Sequence, residues 1–369
     1  MNMIARTSAI IAALLIITTT VAAQPKKFFG TIWQRWEDTS AVPRSFSQLF
    51  SQVTPEGSGK WGPAEPARDN MVWGNLDAMF NYAEAHNLLV KEHCFFWGQS
   101  APNWIGGLSN AEQKAEAGEW VGSFLSRYGA KIDMIDVINE NSSPVIGAFG
   151  GGGSTGYDWY INSFQLVRDS CARYCPNAKL ILNDDWLSAD DQATTDYIRI
   201  ANLLKARNLI DGIGDQCHYY ENSDSALVHR NLDRLAATGL PIYISELDFV
   251  GDDQTQLGYY RKFFPLFWDH PAVKGITLWG YQEGHMWRDG HIMNADGTWH
   301  PALTFIVDYM AKHGGATGTI TPRAVNPIHG AQRIRLSNRG LTIVKGSGES
   351  ARKFDIRGCA VNARCSGLR

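Results

Sequence analysis

Two glutamates stand at the ends of apolar, strand-like runs: Glu140 closes IDVINE and Glu246 sits in YISELD. A pair of carboxyl groups held across one cleft is what hydrolysis of a glycosidic bond requires. One must hold a proton to release the leaving oxygen, while the other attacks or activates water. In a retaining arrangement the two stand about 5 to 5.5 Å apart. An ionised Glu246 then favours a proton on Glu140 through like-charge repulsion. Other runs end in similar fashion, in Glu56, His93 with Trp97, Asn139 before Glu140, Asp184-Asp185, Gln216 with His218, Asp248 after Glu246, and Trp279. Tryptophan faces stack on pyranose rings, and Asn, Gln, His and Lys hydrogen-bond hydroxyl groups. The set therefore suits a neutral sugar polymer.

Eight short apolar runs carry these residues: FFGTIW (28–33), QVTPEG (52–57), LVKEHCFFW (89–97), MIDVINE (134–140), KLILNDD (179–185), GIGDQCHYY (212–220), PIYISELDF (241–249) and VKGITLWG (273–280). They are rich in β-branched and aromatic residues, as strands are. Between them lie segments of helical period, such as Leu76-Met79-Phe80-Ala83 and Phe164-Val167-Arg168-Cys171. Strand alternating with helix predicts parallel pairing, and eight repeats predict an α/β chain closed as a (β/α)8 TIM barrel. An open doubly wound sheet is the alternative, but no glycine-rich phosphate turn follows the first run. A barrel gathers its chemistry at the carboxyl ends of the strands, where these residues fall.

Composition bounds the rest. Arg6, the apolar run Ala9 to Ile17 and the small residues Val21-Ala22-Ala23 read as a signal peptide over residues 1–23, cleaved before Gln24. No later run approaches the length of a membrane span. The net charge of −3 divides into about +8 beyond residue 312 and about −11 before it. Residues 24–312 are thus expected to form the barrel, and 313–369 a linker and short basic C-terminal tail for sorting or attachment, or a plain extension. An acidic barrel argues against nucleic acid as a partner. Cys171 with Cys175, and Cys359 with Cys365, are close enough in sequence to bridge, whereas Cys94 and Cys217 read as buried free thiols. No cysteine spacing resembles a zinc site, and no metal or other cofactor is expected.

The motifs resemble those of glycoside hydrolase family 10, whose members are mostly retaining endo-β-1,4-xylanases. VTPEGSGKW, DVINE, DGIGDQCH, ISELD and GITLWG occur in the family's order, and the resemblance spans about residues 28 to 310. It implies Glu140 as acid/base and Glu246 as nucleophile. It implies that Asn139 holds the 2-hydroxyl beside the cleaved bond, and that His218 orients Glu246 with Asp248 behind it. Glu56, Lys60, His93, Trp97 and Gln216 resemble the family's glycone-side contacts, and Trp279 and Trp287 its aromatic walls. Three places depart from the pattern: Gly57 replaces an asparagine, WGQS at 97–100 replaces WHSQ, and NDDW at 183–186 replaces NDYN. They fall on sugar-reading positions and spare the two glutamates.

The expectation is a secreted, monomeric endo-xylanase acting on xylan, without a stable membrane span, and attached to the cell surface if the tail serves that end. The glycine-rich stretch Gly147 to Gly156 is expected to shape the leaving-group side. Two rivals remain: the same fold acting on another β-glycoside, such as a mixed-linkage glucan or a plant glycoside, and a non-catalytic carbohydrate-binding barrel.

Overall fold

The computed structural model describes residues 27–34, 42–43, 45–140 and 145–314, together with the backbone of three short strands beyond them. Eight parallel strands close into one barrel in sequence order: β1 (Phe28–Trp33), β2 (Gln52–Pro55), β3 (Leu89–Phe96), β4 (Met134–Asn139), β5 (Lys179–Asp184), β6 (Gly212–Asp215), β7 (Ile242–Leu247) and β8 (Val273–Leu278). The ring shuts where Phe29 of β1 lies opposite Ile276 of β8. Each expected run is a strand, though GIGDQCHYY ends as one at Asp215. Cys217 and Tyr219 have φ near +60°, which breaks extended pairing and turns that segment across the barrel mouth.

Around the strands lie α1 (Phe46–Leu49), α2 (Trp61–Ala64), α3 (Gly74–His86), α4 (Asn110–Tyr128), α5 (Asp158–Tyr174), α6 (Asp191–Lys205), α7 (Ser225–Ala236), α8 (Asp253–Asp269) and α9 (Pro301–Lys312). Their starts are written in the sequence. Ser109 and Glu112 form a reciprocal capping box on α4, and Asp190, Asp224 and Asp252 accept backbone N–H groups at the starts of α6, α7 and α8. The predicted faces hold: α3 buries Leu76, Met79, Phe80 and Ala83. On α5, Phe164, Val167 and Cys171 are buried, while Arg168 turns aside to Asp211 (2.7 Å).

The barrel interior changes character along its axis. Phe28, Met134, Ile181 and Tyr243 make an apolar plug, with Phe28 and Tyr243 stacked at 6.0 Å. Gly275 leaves room for Phe28, whose ring would lie 2.3 Å from a Cβ there. The other interior side chains include polar groups that bond one another, such as Gln52 to Thr54 (2.7 Å) and Thr277 to Gln52 (2.9 Å). A polar interior of this kind is tolerable only when each group finds a partner.

The glycine-rich stretch begins with a 3₁₀ turn, Gly147–Phe149, that packs Phe149 on Phe96 and ties Ala148 N–H to Gln113. Its far end is tied to α5 by Asp158, which accepts from the N–H groups of Ser154 and Thr155. Cys94 and Cys217 are buried free thiols, as expected. Cys171 and Cys175 are also free rather than bridged. Their sulfurs lie 2.8 Å apart, one on the last turn of α5 and the other at its C-cap. Cys359, Cys365 and the proposed signal peptide lie outside the described residues. Beyond the barrel, β9 (Arg333–Ser337), β10 (Gly340–Val344) and β11 (Arg352–Phe354) pair antiparallel, with β10 central. Among the described residues no helix is long and apolar enough to cross a membrane.

Candidate active site

The strand register brings the polar residues to one end of the barrel. His93 on β3 lies opposite Asp136 on β4, Asn139 on β4 opposite Asn183 on β5, and Asp184 on β5 opposite Asp215 on β6. Glu140 follows β4 directly. Its backbone sits in the left-handed region (φ 52°), an unfavourable place for a residue with a Cβ, and its N–H is held by the Asn183 carbonyl at 3.0 Å. Such backbone conformations persist where the surrounding structure over-determines them, often at functional sites.

Glu246 is buried within β7, hydrogen-bonded from two sides and approached by a third group. His218 Nε2 lies 3.2 Å from one carboxylate oxygen, and Asn183 Nδ2 donates to the other at 2.7 Å. His93 Nδ1 is 3.8 Å from that second oxygen. Burial works against its charge, but His93, the hydrogen bond and charge of His218, and Lys91 outweigh it and hold the carboxyl down at about 2. His218 is bonded at both nitrogens, with Nδ1 3.0 Å from Asp248. Burial disfavours its charge too. The two carboxylates prevail and push the imidazole up to about 10, so the ring is a cation that donates to both.

Asp248 is fully buried, and its second oxygen accepts from Trp287 Nε1 at 2.8 Å. Trp287 is exposed and stands edge-on to His218 at 4.9 Å. Trp279 is almost wholly buried, edge-on to His93 (4.9 Å) and His218 (6.3 Å). In this structure it packs the two histidines more than it faces the cleft.

Across the mouth, Glu140 receives Trp97 Nε1 at 3.0 Å on one oxygen and Asn139 Nδ2 at 3.4 Å on the other. Gln216 Nε2 donates to Asn139 Oδ1 at 3.1 Å and lies 3.5 Å from Glu140. Lys60 Nζ lies 4.5 Å above the Trp97 ring, a cation–π contact. Glu56 follows β2 at the same end, half-buried. The structure thus gathers the candidate residues around one end of the barrel, with the side chains of Glu56, Lys60 and Trp279 outside the hydrogen-bonded group.

Sequence reasoning missed several members. Asn183 is the hub: its Nδ2 serves both Asn139 Oδ1 (2.8 Å) and Glu246, while its Oδ1 accepts from Ser245 at 2.5 Å. Lys91 and His93 share Asp136 Oδ2 at 2.8 and 3.0 Å, all three buried. The alternation Lys91-x-His93 on one strand was the available signal, since such residues face the same side. Gln99 Nε2 reaches Glu140 at 3.2 Å, so the transposed WGQS still supplies an amide to this carboxyl.

The altered NDDW segment leaves Trp186 exposed, with φ 59°, and Asp185 half-buried. Burial pushes the Asp185 carboxyl up to about 7, against its bond from Trp186 N–H and attraction to His218. Beside it opens a cavity of about 890 Å³ lined by Trp186, Tyr219, Glu221, Asn222, Tyr259 and Arg288. Arg288 pairs with Glu221 and lies over the Tyr219 ring at 4.5 Å.

Comparison with known proteins places the chain. Residues 18–313 match the family described as glycosyl hydrolase family 10. Endo-1,4-beta-xylanase B of Cellvibrio japonicus is 37% identical over 288 residues, covering 77% of this chain and 46% of that protein. An anti-sigma-I factor of Acetivibrio thermocellus is 24% identical over 340 residues, 87% of this chain and 43% of that protein. The chain therefore spans less than half the length of these two relatives. Among solved structures, native xylanase 10B from Thermotoga maritima superposes with a TM-score of 0.68 at 23% identity, covering 78% of this chain and 96% of that one. The shared barrel, the family match over most of the sequence and the Cellvibrio relative agree: this chain belongs to glycosyl hydrolase family 10.

Proposed function

We propose that the chain is an endo-acting, retaining β-1,4-xylanase, with Glu246 as nucleophile and Glu140 as acid/base. The observation that carries this reading is the asymmetry of the two carboxyls. Glu246 is buried yet kept ionised by His93, His218 and Lys91, with Asn183 donating to one of its oxygens. Glu140 stands across from it, bonded by neutral donors from Trp97, Gln99 and Asn139.

In the first step a Glu246 oxygen bonds to the anomeric carbon as the glycosidic C–O bond breaks, and Glu140 passes its proton to the leaving oxygen. In the second, Glu140 takes a proton from water, whose oxygen displaces Glu246 from the same carbon. The configuration at that carbon is thereby retained. Asn139 can offer Nδ2 to the sugar 2-hydroxyl because its Oδ1 is already occupied by Asn183 and Gln216. Glu56, Lys60, His93, Trp97 and Gln216 read the glycone side, with the exposed Trp287 as the aromatic wall and Trp279 packing His93 and His218 behind it. Asp248 holds His218 and Trp287 together.

The name of the Cellvibrio relative favours xylan. Action on another β-glycoside is the second reading, favoured by Gly57, Asp185 and Trp186 at sugar-reading positions. We further take the N-terminal stretch as a secretion signal, the chain as a monomer, and the basic tail as a sorting or attachment segment.

Reducing-sugar release from xylan, mixed-linkage glucan and carboxymethylcellulose tests the reading, with the anomer first formed followed by NMR. Release from xylan with a β-product is expected. Release from glucan alone would move the substrate, and release from none would leave a carbohydrate-binding barrel. Glu246→Ala should lower turnover by about 10³-fold or more while still binding oligosaccharide. Undiminished turnover in that variant would remove Glu246 from its role.

A further inference from the structure

Away from the paired glutamates, the turn after α2 meets one face of α4. Glu112, Glu116 and Glu119 are spaced at i, i+4 and i+7 along that helix, so they share a face. The turn brings Glu65, Arg68 and Asp69 against it. Carboxylate oxygens of Asp69, Glu116 and Glu119 all lie within 4.8 Å of one another.

Acidic clusters on a helix face are commonplace, and a second feature sets this one apart. Glu116 is 4% exposed, and its Oε2 is buried without a hydrogen-bond partner. A buried anionic oxygen without a donor is costly, which is why such groups are almost always satisfied. Arg68 does not meet the need. It donates to the other oxygen, with Nε 2.8 Å from Oε1, and its Nη1 lies 3.7 Å from Glu112.

Glu65, just behind, spends its oxygens on Trp61 Nε1 (2.8 Å) and Asp69 N–H (3.0 Å). Burial raises its pKa, those two bonds oppose the rise, and the charges of Glu119 and Glu116 add to it. The carboxylates therefore crowd one another with a single guanidinium among them.

We propose that Asp69, Glu116 and Glu119 form a binding site for a hard divalent cation, calcium by its chemistry. All three ligands are oxygens, which suits calcium or magnesium and not a thiolate- or imidazole-seeking metal. Calcium–oxygen distances of about 2.3–2.6 Å allow ligands on opposite sides to stand up to about 5 Å apart. Oxygens that all lie within 4.8 Å of one another fall inside that span. Magnesium, at about 2.0–2.1 Å, demands a near-octahedral shell and gives up its water reluctantly, which a flexible, part-exposed carboxylate set serves less well. Asp69 and Glu119 are exposed, so water can complete the shell. Occupancy would give Glu116 Oε2 its missing partner and clamp the turn to α4. Through α2 it would also steady Lys60, the residue at that helix's N-cap.

The test uses the full chain stripped with chelator, titrated with calcium chloride by calorimetry and followed by thermal unfolding. Terbium serves as a luminescent probe excited through nearby tryptophan. One calcium per chain is expected, with a Tm rise of roughly 3–6 °C at millimolar calcium and a smaller rise with magnesium. Glu119→Gln and Asp69→Asn, at exposed positions where folding is safe, should weaken binding at least about tenfold and lose most of the Tm rise. The proposal is overturned if the wild type shows neither heat nor a Tm change up to about 10 mM calcium. It is equally overturned if both variants respond as the wild type does.

Discussion

At the scale of single residues, the site is organised by which oxygen each donor reaches. Asn183 decides most of it, since one amide connects Asn139, Glu246 and Ser245. It was visible in the sequence as part of NDD but carried no distinguishing mark, because an asparagine beside aspartates reads as a turn or strand end. Glu140, Glu246 and His218 were legible because their motifs match a known pattern on both sides. Asp185 gives a prediction at this scale. Its folded pKa of about 7 lies above the ordinary 3.8, so its contribution to stability is full below about pH 4 and lost as pH rises towards 7. Asp185→Asn, whose amide oxygen can still accept from Trp186 N–H, should match the wild type in thermal unfolding near pH 4. At pH 8 it should exceed the wild type by about 3 °C; equal melting at both pH values would sink the argument.

At the scale of elements, eight apolar runs, helix caps and amphipathic faces were all readable, and their order fixed the barrel. Strand ends were read less well where backbone geometry departs from side-chain preference. GIGDQCHYY looks extended by composition, yet two left-handed residues fold its second half over the mouth. Nothing in residue type announces that Cys217 will be left-handed. Nor does the sequence reveal why β6 carries Gly214. A Cβ there would stand 2.3 Å from Asn183 Oδ1 and 3.1 Å from its Cγ, so the glycine lets Asn183 hold its place. Gly214→Ala should therefore displace the Asn183 amide. Turnover should fall by about tenfold to a hundredfold with a smaller change in stability, of about 1–3 kcal/mol, from overpacking. Steady-state kinetics beside chemical denaturation checks this, and loss of stability with unaltered kcat would contradict it.

At the scale of the whole molecule, opposing charges bury together at the carboxyl end of the barrel, and stability is tied to pH there. His218 has its folded pKa raised from 6.5 to about 10, so its contribution is full below about 6.5 and lost as pH climbs through 10. Glu246 runs the other way. Its folded value of about 2 lies below 4.5, so its contribution is present above 4.5 and lost as pH falls through 2. Both are complete together between about 4.5 and 6.5. His218→Gln should accordingly differ most from the wild type in Tm near pH 6, with the gap narrowing towards pH 10. A gap that stays constant across that range would place the charge elsewhere.

Two of the hydrogen bonds at this end of the barrel have an optical consequence. Trp97 gives its indole N–H to Glu140, and Trp287 gives its own to Asp248. Lengthening or loss of either hydrogen bond changes the surroundings of the indole, and indole resonance and emission both respond to that. Among thirteen tryptophans, these two form a built-in pair of indicators, one on each carboxyl. Following their side-chain N–H signals as oligosaccharide is added would watch Glu140 and Asp248 separately.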